Sequence, residues 1–395
     1  FQLTTKEKAE WIIVYMLPLY AFIAGGQPSV LRASFMVVLL ILFKKLKWRL
    51  RLVDSVCIVF ITLIFFDKYI IYNVGFQFSF IVTFALILSK EWLLQTNIRW
   101  VQLLKINFIS QFAILPLQVA YFHIFEPLSI IINMLIVPYF SLFVIPFMFI
   151  LLLTSFFPSV LFFFFESIFL KTQELVIYFL QNLDQSLYNP FVIGEYPEVY
   201  ASLYYLILFI LMKNVQLDKL KNASLYGALF VLFIICLTIR PYFSSVGLVT
   251  MLDIGQGDTF IIELPNRKGV FMIDAAANFS FAEEQPSSKI YEQVIKPYLY
   301  SRGIQHIDAV FLTHEDIDHI GSAPNILKEF HVDNVIVSNV FELNKEMDLA
   351  LKNTNTFLKR VSFNDLIRIK GQDFHILSPK VDYGTRNENS LVIAS

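Results

Sequence analysis

Roughly eight or nine apolar stretches, each long enough or nearly long enough to cross a bilayer, lie before residue 245, and none follows it. They cover 11–25, 30–43, 52–66, 69–88, 100–122, 128–153, 159–180, 199–212 and 224–239. Hydrocarbon offers no water to backbone N–H and C=O groups, so stretches of this kind are expected as helices packed into a polytopic α-helical membrane bundle, with the lipid bilayer as their first partner. Mean hydropathy of +0.62 and 42 Phe therefore describe a membrane domain diluted by a water-soluble one. Charge divides at the same place: residues 1–245 hold 17 Lys/Arg against 12 Asp/Glu, net +5, and 246–395 hold 14 against 20, net −6. The expected domains are 1–245 and 246–395, with the boundary between Arg240 and Gly247. Cys57 and Cys236 sit inside apolar runs and read as small lipid- or core-facing residues.

Two basic clusters orient the bundle. Lys44, Lys45, Lys47, Arg49 and Arg51 form one, Lys213, Lys219 and Lys221 the other, and short loops of this kind stay cytoplasmic. Counting crossings then places the soluble part outside the cytoplasm, provided that 128–153 and 159–180 both span. Glu166, Lys171 and Glu174 also suit a helix lying at the interface, which would reverse the count.

Polar residues inside spans are the next signal. Asn107, Gln111 and Gln118 follow one another at i, i+4 and i+11, on one side of a helix. Asn73 and Gln77 repeat the i, i+4 spacing, Asn133 sits in a Pro-rich span, and Arg32 lies just inside another. Any one of them is explained by an interhelical hydrogen bond. As a set they are read as lining a hydrophilic path. The tract Phe162–Phe165 is read as lipid contact and not as a base-stacking surface.

The second part alternates short strands and helices. Strands are expected at 249–252, 259–263, 270–273, 307–312, 335–340, 374–377 and 391–394, and helices at 289–301, 320–330 and 344–358. This is an α/β sandwich with ligands on loops at one edge. Gly255-Gln256-Gly257 lies between two strands with no helix after it, so a dinucleotide fingerprint is rejected.

Thr313-His314-Glu315-Asp316-Ile317-Asp318-His319-Ile320-Gly321 follows the 307–312 strand. Side chains at the C-terminal edge of a strand can converge on one ion, and His314, Asp316, Asp318 and His319 are the candidate metal ligands. Capping of a helix N-terminus explains one or two acids, but not two histidines bracketing two aspartates. His306, His331 and His375 are read as lying in ordinary elements without neighbouring ligands, and His123 as a residue at a span end.

These residues carry a family resemblance. The motif from Thr313 to Gly321 is similar to the metal signature of the metallo-β-lactamase fold, in the variant with Asp at the second His position. Asp253-Ile254-Gly255-Gln256-Gly257-Asp258 resembles the opening of the soluble domain in ComEC-type competence DNA-uptake proteins. Pro28-Ser29-Val30-Leu31-Arg32-Ala33, Asn73-Val74-Gly75-Phe76-Gln77-Phe78-Ser79-Phe80 and Leu115-Pro116-Leu117 look like that family's channel domain. There are departures. Ala275, Ala276 and Ala277 follow Asp274 where the family has glycines, and Ser322 follows Gly321. Phe1 is not a start methionine, and the chain stops at Ser395, ahead of the family's bridging Asp and last His, so it is expected to be a piece of a longer protein.

The resemblance implies a partial αββα metallo-β-lactamase-like sandwich after the bundle, with two divalent ions, Mn or Zn. His314 and Asp316 would serve one, and Asp318 with His319 the other, with Asp258 and Asp274 behind them and hydrolysis depending on Asp318. It further implies a multi-pass protein of the cell membrane that passes single-stranded DNA inward. An extracytoplasmic nuclease domain would meet double-stranded DNA at the outer surface and degrade the other strand, with other competence proteins as partners. Two alternatives stand beside it: a membrane-tethered metallohydrolase acting on another extracellular substrate, and a channel whose hydrolase-like domain binds DNA or is inert. The net charge of −6 offers phosphates no basic footprint.

Overall fold

The computed structural model describes residues 5–48, 51–156, 159–187, 190–217, 219–280 and 285–395; Arg49 of the first basic cluster lies outside them. The chain divides into one unit of Phe1–Gln118, Glu126–Pro190 and Ala201–Leu229 and a second of Val119–Phe125, Phe191–Tyr200 and Phe230–Ser395.

Helices account for the first unit: α1 (Lys6–Ile23), α2 (Pro28–Lys45), α3 (Leu52–Phe66), α4 (Val74–Leu88), α5 (Lys90–Leu94), α6 (Arg99–Phe122), α7 (Leu128–Tyr139), α8 (Ile145–Thr154), α9 (Ser159–Leu187), α10 (Glu198–Gln216) and α11 (Leu220–Ile239), the last residues of α6 and α11 and the first of α10 belonging to the second unit. Among the described residues, Arg99–Phe122, Leu128–Thr154, Glu198–Gln216 and Lys221–Phe243 are long and apolar enough to cross a membrane. Leu52–Phe66 and Val74–Leu88 are apolar but shorter. The expected helix over 69–88 starts only at Val74, because Lys68–Tyr72 is a 3-10 turn and the Asn73 side chain caps α4 by accepting from the Phe76 N–H at 3.0 Å. The 128–153 run is continuous through a π turn at Phe140–Val144, which follows Pro138. Helix α9 runs to Leu187, past the expected end at 180.

Two contacts explain how this unit holds together. Val56, Val59 and Leu63 of α3 bury against Phe76 and Phe80 of α4, where the Phe60, Phe76 and Phe80 rings meet at centroid distances of 4.6–5.4 Å. Pro116 inside α6 has no N–H for the carbonyl of Phe112, four residues earlier; the Tyr204 hydroxyl donates to that oxygen instead, at 2.7 Å.

In the second unit, β1 (Ile124–Phe125) pairs antiparallel with β2 (Phe191–Val192). The main body follows in the order β3 (Leu248–Met251), β4 (Phe260–Glu263), β5 (Val270–Ile273), β6 (Phe279–Ser280), β7 (Gln285–Pro286), α12 (Lys296–Ser301), β8 (His306–Phe311), α13 (Ile317–Ile320), α14 (Ala323–Glu329), β9 (His331–Ser338), α15 (Lys345–Lys352), β10 (Phe357–Val361), β11 (Leu366–Ile369), β12 (Gln372–Ser378) and β13 (Val392–Ala394). A six-stranded sheet has the order β10-β9-β8-β5-β4-β3, parallel from β10 to β5 and antiparallel from there to β3. A second, antiparallel sheet has the order β11-β12-β13. The expected helix over 344–358 is corrected here: α15 ends at Lys352, and Phe357 and Leu358 belong to β10, whose pairing with β9 overrides local preference.

The central strands show why both faces are covered. Val270 and Met272 enter one core with Ile295, Leu299 and Ile326 of the helical layer, whereas Phe271 enters a second with Phe374 and Ile376 of the smaller sheet. Val335 and Val337 against Ile336 repeat the division. Alternation between two apolar cores makes these strands read as unbroken apolar runs.

Candidate metal centre

The C-terminal edge of the parallel strands is where an α/β sheet collects ligands. Strand β5 ends at Ile273, and Asp274 follows with φ of +57° and only 2% exposure. Strand β8 ends at Phe311, whose carbonyl accepts from the Asp274 N–H at 2.8 Å, so the two strand ends are tied together. Asp274 then organises the segment after β8. Its Oδ1 accepts from the Thr313 N–H at 2.8 Å, its Oδ2 from the Thr313 hydroxyl at 2.7 Å, and Oδ2 also lies 2.8 Å from His319 Nδ1.

Backbone pairing sets the rest. The Ala275 N–H donates to the His319 carbonyl and the Ala277 N–H to that of Ile317, while Ser322 donates back to Ala275 and Ala276. This accounts for the departures after Asp274. The three alanines are at most 1% exposed, and a Cβ on Gly321 would come within 2.6 Å of Ala277 Cβ. Gly257, at φ +92°, lies so close that a Cβ there would be 2.0 Å from the Asp318 carbonyl oxygen. Asp258 reaches the site through its backbone, its N–H donating to that same oxygen at 3.3 Å.

Both imidazoles thus have Nδ1 engaged from behind: His319 by Asp274, and His314 by Thr313 Oγ1 at 2.9 Å and Ser390 Oγ at 3.4 Å. Their Nε2 atoms face carboxylates, His314 at 3.7 Å from Asp316 Oδ2 and His319 at 4.0 Å from Asp318 Oδ2. These gaps are too long for hydrogen bonds. Two metal–ligand bonds of about 2.1 Å each span roughly 3 to 4.2 Å, so the donor set fits divalent ions. The rings lie 4.0 Å apart between centroids and respond oppositely to their surroundings. The hydrogen bond to Asp274 raises the His319 pKa, whereas burial and then the His319 charge lower that of His314.

Two residues not singled out from sequence complete the site: Ser390, and Arg386, whose Nη1 is 3.2 Å from Asp316 Oδ1. Thr313, the first residue of the motif but not one of its candidate ligands, joins them through its hydroxyl. His375 is an exposed residue of β12. The reading of His306 and His331 is overturned: with Asp333 they form a trio whose ligand atoms all lie within 4.8 Å of one another.

The polar residues of the helical unit are placed as follows. Gln111 donates to Gln118 at 3.0 Å along α6, and Asn107 Nδ2 is buried without a hydrogen-bond partner. Gln77 donates to the Ile71 carbonyl at 2.7 Å and keeps Oε1 buried and unpaired. Arg32 donates to Ser79 Oγ at 2.6 Å, beside a cleft of about 580 Å³ that Ser29 and Thr83 also line. The structure brings Gln111 and Gln118 together, while Asn73 serves as a cap.

Apolar helices long enough to cross a membrane, followed in the chain by an α/β sheet unit with paired His and Asp side chains at its strand ends, define a membrane protein with a candidate metal-binding α/β domain. The profile of the competence protein family matches residues 1–217 and that of the metallo-beta-lactamase superfamily residues 252–359. ComE operon protein 3 of Bacillus subtilis (strain 168) is 31% identical over 402 aligned positions, which cover 98% of this chain and 51% of that protein. The chain belongs to the competence protein family, in the ComEC-type combination with a metallo-beta-lactamase domain, and is a multi-pass membrane protein. It spans about half the length of the curated relative it matches.

Proposed function

We propose that the full-length protein carries single-stranded DNA across the cell membrane during natural transformation, while its second unit acts as a metal-dependent phosphodiesterase on the strand left outside. The observation that carries this reading is the union, in one chain, of a competence-family helical unit with two His–carboxylate pairs at a parallel sheet edge. His314 with Asp316, and Asp318 with His319, would hold two divalent ions, Mn or Zn. When bound, such ions supply positive charge to a phosphodiester and acidify a water molecule. The chain's own part is to hold Nε2 of each histidine toward the carboxylates, which it does through Asp274 and Thr313. The buried unpaired atoms of Asn107 and Gln77 support a hydrophilic path through the helical unit. The soluble unit would face outward, meeting double-stranded DNA and other competence proteins.

Deleting the gene in its transformable host should abolish entry of DNA into the cytoplasm while leaving DNA bound at the surface; unchanged transformation overturns the proposal. Purified full-length protein should cleave DNA with Mn²⁺ or Zn²⁺, and Asp318→Ala should not. Orientation is read by an impermeant thiol reagent on intact cells, with the cysteine placed at exposed Ser288, which labels if the unit faces outward.

One contact favours a second reading, an inert hydrolase-like unit. Arg386 pairs with Oδ1 of Asp316, the other oxygen of the carboxylate whose Oδ2 faces His314, so a guanidinium competes with a cation for that charge. Nuclease activity that is absent from wild type and from Arg386→Ala alike would support it.

A further inference from the structure

We propose a second divalent-metal site, formed by His306, His331 and Asp333 at the opposite end of the parallel strands and suited to a borderline transition ion such as Zn²⁺. Register builds it. His306 and His331 are the first residues of β8 and β9, and the parallel pairing sets them directly side by side. Asp333 is two residues beyond His331, so the period of a strand returns it to the same side. All three side chains converge: Asp333 Oδ1 lies 2.8 Å from His306 Nε2 and 3.3 Å from His331 Nε2. The imidazole centroids are 5.1 Å apart at an interplanar angle of 31°, both rings turning Nε2 to one carboxylate.

The donor set selects the ion. Two imidazoles and one carboxylate suit Zn²⁺ or Co²⁺ and disfavour Mg²⁺ or Ca²⁺, which take oxygen. Three protein ligands leave one position open to solvent. On the far side of His306, Asp308 Oδ1 is 3.9 Å from Nδ1, too far for a hydrogen bond, and pairs with Lys370 Nζ at 3.3 Å, while its Oδ2 accepts from the Val270 N–H at 2.7 Å, so the site rests on its three ligands alone. The site is separate from the one after β8: eight residues of extended chain between His306 and His314 span roughly 25 Å. An ion there would clip the N-terminal ends of β8 and β9 together, and it does not depend on the hydrolase reading.

The test is Zn²⁺ titration of metal-stripped full chain in detergent, by competition with a chromophoric chelator, together with the visible absorption of the Co²⁺ form. His331→Ala with Asp333→Ala should bind one ion fewer per chain and lose the corresponding Co²⁺ band. His314→Ala with Asp318→Ala should keep that ion. The His331 side chain is 65% exposed, so its truncation leaves the fold intact, and His331→Ala alone should weaken this ion at least tenfold. Wild type and the His331/Asp333 variant binding the same number of ions with the same affinity overturns the proposal.

Discussion

His319 Nδ1 lies 2.8 Å from Asp274 Oδ2, and the same carboxylate receives both the N–H and the hydroxyl of Thr313. One buried side chain at the end of β5 thereby sets the orientation of the segment after β8.

Asp274→Asn tests this directly. Asparagine tolerates the positive φ of this position and keeps its volume, but its NH₂ cannot accept the imidazole N–H. Loss of such an orienting carboxylate should weaken metal binding at the candidate centre by about 10- to 100-fold, with the fold retained. Metal titration alongside far-UV circular dichroism is the check. Unchanged affinity would mean that His319 is oriented by other groups.

Gly257 and Gly255 separate close approach from backbone freedom. Both have positive φ, +92° and +80°, but a Cβ on Gly257 would meet the Asp318 carbonyl oxygen at 2.0 Å, whereas nothing lies within 4 Å at Gly255. Alanine at either position is strained and should cost at least about 1 kcal/mol. Gly257→Ala should in addition displace the segment carrying Asp318 and reduce metal binding, which Gly255→Ala should leave in place. Equal metal affinity in the two variants would remove the steric argument.

How far these arrangements were legible in the sequence depends on their span along the chain. His314, Asp316, Asp318 and His319 lie within six positions, so their adjacency needs only a strand end and a turn. Arg386 meets Asp316 from 70 residues away, and nothing local announces that contact. His306 and His331 are joined by strand register, which a single sequence leaves open. The same limit misplaced β10, where Phe357 and Leu358 follow a helical pattern but pair with Asn334 and Val335. The i, i+4 spacing of Asn73 and Gln77 suggests a shared lining role, yet the Asn73 side chain is a helix cap, a role that spacing alone does not distinguish.

The turn that carries Arg386 should respond to acid. Asp382 accepts from the Gly384 N–H and from Asn389 Nδ2, each at 2.8 Å, and the Asn389 hydrogen bond is the main cause holding its pKa below the usual carboxylate range. A folded pKa below the unfolded one gives a contribution present above the unfolded value, near 3.8, and lost as pH falls through the folded value. Asp382→Asn should remove that pH dependence, followed as the local stability of the turn by limited proteolysis between pH 5 and 3. Identical pH profiles for wild type and variant would rule the carboxylate out.

Tyr204 should matter to the helical unit through its hydroxyl alone. The side chain is 2% exposed, and its Oη donates to the Phe112 carbonyl, to which Pro116 four residues on offers no N–H. Tyr204→Phe preserves the ring and its packing but removes this hydrogen bond, at a cost of about 0.5–1.5 kcal/mol. Tyr72, 74% exposed, is the matched control, and Tyr72→Phe should stay within about 0.5 kcal/mol of wild type. Denaturation of the three proteins in the same detergent checks the difference. Equal stability of Tyr204→Phe and wild type would show that the helix satisfies the Phe112 carbonyl without Tyr204, and that the proline needs no partner from α10.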